Sequence, residues 1–180
     1  MSKKKLATVW LGGCSGCHMS LLDIDERILE VAALADIVKC PIVDGKELPE
    51  VDIVLVEGSV TSDEHYNELL HIRKHCKTLV ALGDCAVMTN ITGMRNYFSM
   101  KDVYDTAYKN ATSNDGKGEV PFHPALLRLN EKVVPLQEVV TVDLVIPGCP
   151  PHADTIFYVL KELLLDRKPD LSSVHKLKYG

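Results

Sequence analysis

The sequence predicts an α/β fold: a flavodoxin-like, doubly wound, five-stranded parallel sheet with an irregular insertion before the last strand. Three observations carry this. Strand-like and helix-like segments alternate along most of the chain, the pattern of a parallel sheet covered on both faces. Each apolar β run stops at glycine, proline or a charged residue. The length of 180 residues suits one domain, 1–180, that buries roughly 70% of its unfolded surface.

The first strand is the apolar run at residues 6–11, stopped by Gly12-Gly13. A helix follows over 19–34, where Leu21, Leu22, Ile24, Ile28, Leu29, Val31 and Ala32 recur near the 3.6-residue period. The second strand, 37–40, ends at Pro41, and the third, 53–56, is a buried run bounded by Asp52 and by Glu57-Gly58. Ser62 or Asp63 caps the next helix, which runs to about Cys76. The fourth strand, 78–82, is broken by Gly83 and leads into a helical piece at 86–90. Residues 92–141 carry no clear period and contain one loop signal, Asn114-Asp115-Gly116-Lys117-Gly118. The fifth strand, 142–146, runs into Pro147-Gly148-Cys149-Pro150-Pro151 and a helix over 153–165. The expected strand order is 2-1-3-4-5.

Composition narrows the function. Hydrophobic residues are 46% and charged residues 25%, as in ordinary soluble proteins. A net charge of −5 leaves no basic stripe to neutralise phosphates, so nucleic acid is not an expected partner. Lys3-Lys4-Lys5 reads as a solvated start. Leu11-Gly12-Gly13-Cys14 loosely imitates a lipoprotein cleavage site, but the apolar stretch before it is shorter than the about 7–15 residues a signal peptide needs. With no twin arginine and no run of roughly 18 apolar residues, neither export nor a membrane span is expected, and the chain reads as cytoplasmic.

In that reducing compartment six cysteines indicate metal, catalysis or buried small hydrophobes and not three disulfides. Their placement separates them. Cys14 and Cys17 follow the first predicted strand, Glu57 ends the third, Cys85 follows the fourth and Cys149 the fifth. Ligands of open α/β sheets bind outside the carboxyl ends of the strands, so these four cysteines converge on one edge. The pair Cys14-Ser15-Gly16-Cys17 can aim two thiolates at one centre from a tight turn, with Gly16 accepting unusual dihedrals. A 4Fe–4S cubane needs four thiolates, and proline after the last one, as at Cys149-Pro150, is a frequent companion of cluster ligands. Backbone N–H groups near Gly12, Gly13, Gly83 and Gly148 are expected to donate to cluster sulfurs.

Blander readings stand beside this one. A thioredoxin-type pair would leave Cys85 and Cys149 unexplained, and structural zinc usually takes two close pairs where one exists here. Cys40 and Cys76 are expected to be inert; Cys76 lies at the wrong edge of the sheet and Cys40 on an outermost strand. His71 and His75, at i and i+4, lack the glutamate of a zinc-protease helix and read as a solvated face. His18 and His152 are expected to be surface residues. Glu57 is either a proton-handling carboxylate or a charge at a helix start. A flavodoxin-like module carrying FMN on the 12–16 loop is an alternative from another class, although neither a P-loop nor G-x-G-x-x-G is present.

Four blocks also resemble a known family. Cys14-Ser15-Gly16-Cys17 with Leu21-Leu22-Asp23, Val56-Glu57-Gly58-Ser59, Gly83-Asp84-Cys85-Ala86 and Pro147-Gly148-Cys149-Pro150-Pro151 are similar to motifs of the small subunit of nickel–iron hydrogenases, in the same order, across residues 6–165. The resemblance implies that Cys14, Cys17, Cys85 and Cys149 bind the iron of one proximal 4Fe–4S cluster, with Glu57 nearby in a proton or supporting role and no catalytic residue on this chain. It implies that the nickel–iron centre belongs to a separate large subunit. Larger family members carry a second, cysteine-rich domain with medial and distal clusters; the sequence continues past 165 without a cysteine, so a three-cluster wire is not expected.

That short form, with Cys17-His18-Met19-Ser20-Leu21-Leu22-Asp23, resembles the small subunits of cytoplasmic NAD-reducing hydrogenases (hydrogen:NAD+ oxidoreductases). Their partners are a large subunit and a diaphorase module with FMN, iron–sulfur clusters and the NAD site. Small subunits of membrane energy-converting hydrogenases or a related quinone reductase are the alternative within the family. The related complex I subunit begins its motif with adjacent cysteines, unlike the spaced pair here.

Overall fold

The apolar runs fold into strands that are covered on both faces. The computed structural model describes residues 3–43, 47–115 and 118–174. In chain order its elements are β1 (Lys4–Trp10), α1 (Gly16–Leu22), α2 (Ile28–Leu34), β2 (Ala35–Lys39), β3 (Val51–Glu57), β4 (Val60–Ser62), α3 (Asp63–His75), β5 (Cys76–Leu82), α4 (Asp84–Met88), α5 (Asn90–Gly93), α6 (Met100–Tyr104), β6 (Leu129–Val134), β7 (Leu144–Ile146) and α7 (Ala153–Leu164). The main sheet is parallel throughout, in the order β2-β1-β3-β5-β7. This is the predicted 2-1-3-4-5 arrangement of five strands.

The two-residue period of each strand divides the core in two. Leu6, Ile53, Leu55, Val80, Leu82 and Ile146 face α7 through Ile156, Val159 and Leu160, and meet Leu21 and Val31 of α1 and α2. Ala7, Val9, Val54, Val56, Leu79 and Ala81 face the other way, onto Leu69 and Ile72 of α3 and onto Leu136. Each of these larger aliphatic side chains contributes about 1.5–3 kcal/mol on burial, so a slip in register would be costly on both faces.

The register matters most at the top. Trp10 lies beside Glu57, Glu57 beside Leu82, and Leu82 beside Ile146. Four strand ends therefore stop in one row, and the loops that follow them emerge together.

The structure revises several boundaries. The helix expected over 19–34 is two helices joined by a 3-10 turn, because Asp25 takes a left-handed φ of 54° that aspartate tolerates better than most side chains. Ser62 is the cap of α3: its Oγ accepts from the His65 N–H at 3.2 Å, with acidic Asp63 and Glu64 in the first turn and Arg73 and Lys74 in the last. β7 starts only at Leu144, since Asp143 departs from the strand pattern: its carboxylate accepts from Leu79 N at 2.7 Å and from Arg73 at 2.6 Å.

The insertion is not wholly irregular. β4 and β6 form an antiparallel ribbon, which no pattern in the sequence announced. Arg95 pins it, donating to Thr61 O at 3.1 Å and Asn130 O at 2.9 Å, while Asn96 makes two 2.8 Å bonds with the Val133 backbone. Of the expected loop at 114–118, Gly116 and Lys117 lie outside the described residues, as do residues 175–180. Among the described residues no helix is long and apolar enough to cross a membrane.

Candidate metal centre

Three loops bring the cysteines together. Cys14 sits between β1 and α1, Cys17 in the first turn of α1, Cys85 in the first turn of α4, and Cys149 between β7 and α7. Cys14 and Cys149 are exposed, Cys85 is half-buried and Cys17 is buried. The Cys17 thiol holds its proton far above the ordinary cysteine range, first through burial and then through Glu57, Cys85, Cys14 and Cys149, whose negative charges all reach it. Burial likewise raises Cys85, with Cys149 and Cys14 adding to it, while the backbone N–H groups of Thr92 and Ile91 pull the other way. The four cysteines predicted to act together thus share one electrostatic neighbourhood.

Two glycines make the approach possible. Gly83 has φ 84° and ψ 162°, a region essentially reserved for glycine, and a Cβ there would lie 2.2 Å from Cys17 Sγ. Gly148 has φ 135°. In the C-x-x-C turn the left-handed residue is Ser15, at φ 68°, and not Gly16 as the sequence suggested. Gly16 instead gives closeness: its Cβ would be 3.3 Å from Cys14 Sγ.

Glu57 organises the start of α1. It is 2% exposed, and its carboxylate accepts from Cys17 N at 3.3 Å, from His18 N at 2.9 Å and from the His18 ring through Nδ1. The carboxylate thus meets the start of α1, which follows the neighbouring strand β1, and not a helix that follows β3 itself. His18 is the correction that goes with it. Expected at the surface, its side chain is 11% exposed, held by Glu57 and packed edge-on against Trp10 at 5.8 Å. His152 is exposed and caps α7 through its ring nitrogen.

The expected N–H donors are mostly spent elsewhere. Gly12 N donates to Ser59 O at 2.9 Å, Gly83 N to Ile146 O at 2.8 Å, and Gly148 N to the Asp84 carboxylate at 2.6 Å. Those three glycines hold loops to one another and leave the sulfurs alone. Asp84, 1% exposed, is a site residue that the sequence did not single out; an acidic residue between Gly83 and Cys85 gives no hint of burial.

The remaining candidates stay apart. Cys76 opens β5 at the opposite edge of the sheet, buried, and Cys40 follows β2, partly buried beside Trp10 and Pro41. His71 and His75 lie tilted against each other on α3, ring centroids 4.2 Å apart, with His71 exposed. Among the described residues no three His, Cys, Asp or Glu side chains gather closely enough to grip a single metal ion.

Comparison with known proteins places the chain in a family. The family described as NADH ubiquinone oxidoreductase, 20 Kd subunit, matches residues 14–163. The delta subunit of the NAD-reducing hydrogenase HoxS of Cupriavidus necator is 45% identical over 174 residues, which span 95% of this chain and 83% of that one. A subunit of the F420-non-reducing hydrogenase of Methanothermobacter marburgensis is 38% identical over 177 residues, but the match spans only 57% of its length. A chain in the crystal structure of an NAD+-reducing nickel–iron hydrogenase in the H2-reduced state superposes with a TM-score of 0.95 at 36% identity, covering 99% of this chain and 100% of that one. The nickel–iron–selenium hydrogenase of Dm. baculatum shares the fold, with a TM-score of 0.58 at 17% identity over 92% of this chain and 62% of its own. With four cysteines at the carboxyl edge of such a sheet, this chain belongs to the NADH ubiquinone oxidoreductase 20 Kd subunit family, and within it to the hydrogenase subunits.

Proposed function

We propose that this chain is the electron-transfer small subunit of a cytoplasmic NAD-reducing nickel–iron hydrogenase, with one 4Fe–4S cluster on Cys14, Cys17, Cys85 and Cys149. The observation that carries the reading is the convergence of these four thiols, from three loops, on one strand-end row. A cluster so bound would accept and release one electron at a time between a nickel–iron large subunit and a diaphorase carrying FMN and the NAD site. The chain's own residues do the holding. Cys17 and Cys85, whose protons burial makes hard to remove, would lose them on binding iron, so loading would release protons. Glu57 fixes the first turn of α1, and with it the direction of Cys17. The exposed Cys14 and Cys149 mark the side that a large subunit would cover.

The FMN reading has less behind it, because the Gly12 N–H that would meet a phosphate already bonds Ser59 O. Anaerobic co-purification with the partner subunits, iron and sulfide analysis, and EPR of the reduced complex test the proposal. Cys85→Ala and Cys149→Ala should each abolish or alter the cluster signal, and Cys76→Ala should not. Loss of the signal in Cys76→Ala with an intact signal in Cys149→Ala would overturn the ligand set. Hydrogen-driven reduction of NAD+ by the parent complex is expected; reduction of a quinone or another carrier alone would move the chain to the membrane-linked alternative.

A further inference from the structure

The loops that bear Cys85 and Cys149 come from different strands, yet one side chain ties them. Gly83 N donates to Ile146 O at 2.8 Å, the last rung of the β5–β7 ladder. One residue on, Asp84 N donates to Gly148 O at 2.9 Å. Gly148 N turns back, and the Asp84 carboxylate accepts from it at 2.6 Å. Gly148 is buried and has φ 135°, outside any strand conformation, so the sheet offers its N–H no backbone partner. The carboxylate, 1% exposed, replaces that missing acceptor. Both clamped residues directly precede a cysteine.

From this geometry, and resting on the cluster reading above, we infer that Asp84 is a positioning residue that sets the spacing between Cys85 and Cys149. It acts through the Gly148 N–H. What matters is where its oxygen stands, so shape should count for more than charge. Asp84→Asn keeps a carbonyl oxygen at the same reach and loses the charge. Asp84→Glu keeps the charge and moves the oxygen by one methylene, and Asp84→Ala removes the acceptor.

The test uses the anaerobic holo complex, read by EPR of the reduced cluster and by the rate of iron release to a chelator. Asp84→Ala and Asp84→Glu should shift the EPR line shape and release iron faster, by about 10- to 100-fold, as is typical when a partner of a metal ligand is lost. Asp84→Asn should stay close to the parent in both. The Asn–Glu contrast decides the matter even if the alanine variant does not fold. The reverse ranking would mean that charge governs the site and would overturn the inference. It would equally be overturned by Asn and Glu behaving alike, or by variants that melt earlier with an unaltered spectrum. A parent complex with no cluster, or one that keeps its cluster in Cys85→Ala and Cys149→Ala, would remove the functional reading and the inference with it. Cluster loss in the cysteine variants, with parental Asp84 variants, would remove the inference alone.

Discussion

Replacing Gly83 with alanine adds a single methyl group at the most crowded point of the site. The backbone there, at φ 84° and ψ 162°, costs a non-glycine residue about 1–3 kcal/mol. The new Cβ would stand 2.2 Å from Cys17 Sγ, where ordinary contact begins at 3.4 Å. Cys17 would have to give by roughly 1 Å, about twice the tolerance of a preorganised site, and such overpacking costs about 1–3 kcal/mol more. Together these make about 2–6 kcal/mol. In a chain of 180 residues this corresponds to a drop in melting temperature on the order of 10 °C. Far-UV circular dichroism of the purified protein measures it, and iron content reports the displaced thiol. A melting temperature within about 2 °C of the parent, together with full iron content, would refute the argument that this position must lack a side chain.

Three further outcomes are expected. Glu57→Leu orphans Cys17 N, His18 N and His18 Nδ1 and should cost about 3–5 kcal/mol in urea unfolding, with Glu57→Gln costing less because one carbonyl oxygen remains; parental stability of the leucine variant would dismiss these bonds. Burial lowers the His65 pKa below its ordinary 6.5, against the opposing pull of Glu68 and Glu64, so the unfolded chain takes up the proton first as pH falls. Stability is then fully present above about pH 6.5 and declines below it, and His65→Gln should flatten that limb in a pH series of thermal melts. In the cluster-free chain, iodoacetamide should label exposed Cys14 and Cys149 first and Cys17 last, since burial and Glu57 keep the Cys17 thiol protonated; peptide mass spectrometry giving equal rates would contradict this.

How far the sequence could be read depended on what kind of signal each element carries. The five parallel strands and their order were legible because runs such as residues 53–56 must be apolar on both faces, and no surface element imitates them. The cysteine grouping was legible because strand ends face one way in such a sheet. The β4–β6 ribbon was not: Val60–Ser62 is three residues long and merges with the cap of α3, so no period could develop. The roles of His18 and Asp84 were hidden for a different reason. Both are polar residues buried by tertiary hydrogen bonds, to Glu57 39 residues away and to Gly148 64 residues away, and nothing local distinguishes them from surface residues. Gly16 and Ser15 were exchanged because a glycine in a turn suggests unusual dihedrals even where its real use is room for a sulfur.

The spent glycine amides have a consequence for any cluster held by these thiols. Hydrogen bonds to cluster sulfurs are a main lever on reduction potential, and this chain has turned Gly12, Gly83 and Gly148 to joining its own loops. Their N–H groups are not free to draw charge from the sulfurs. For a cluster on these thiols, the exposed pair Cys14 and Cys149 would be open to donors from whatever surface is laid against them. A protein docked there would then help to set the potential of such a cluster.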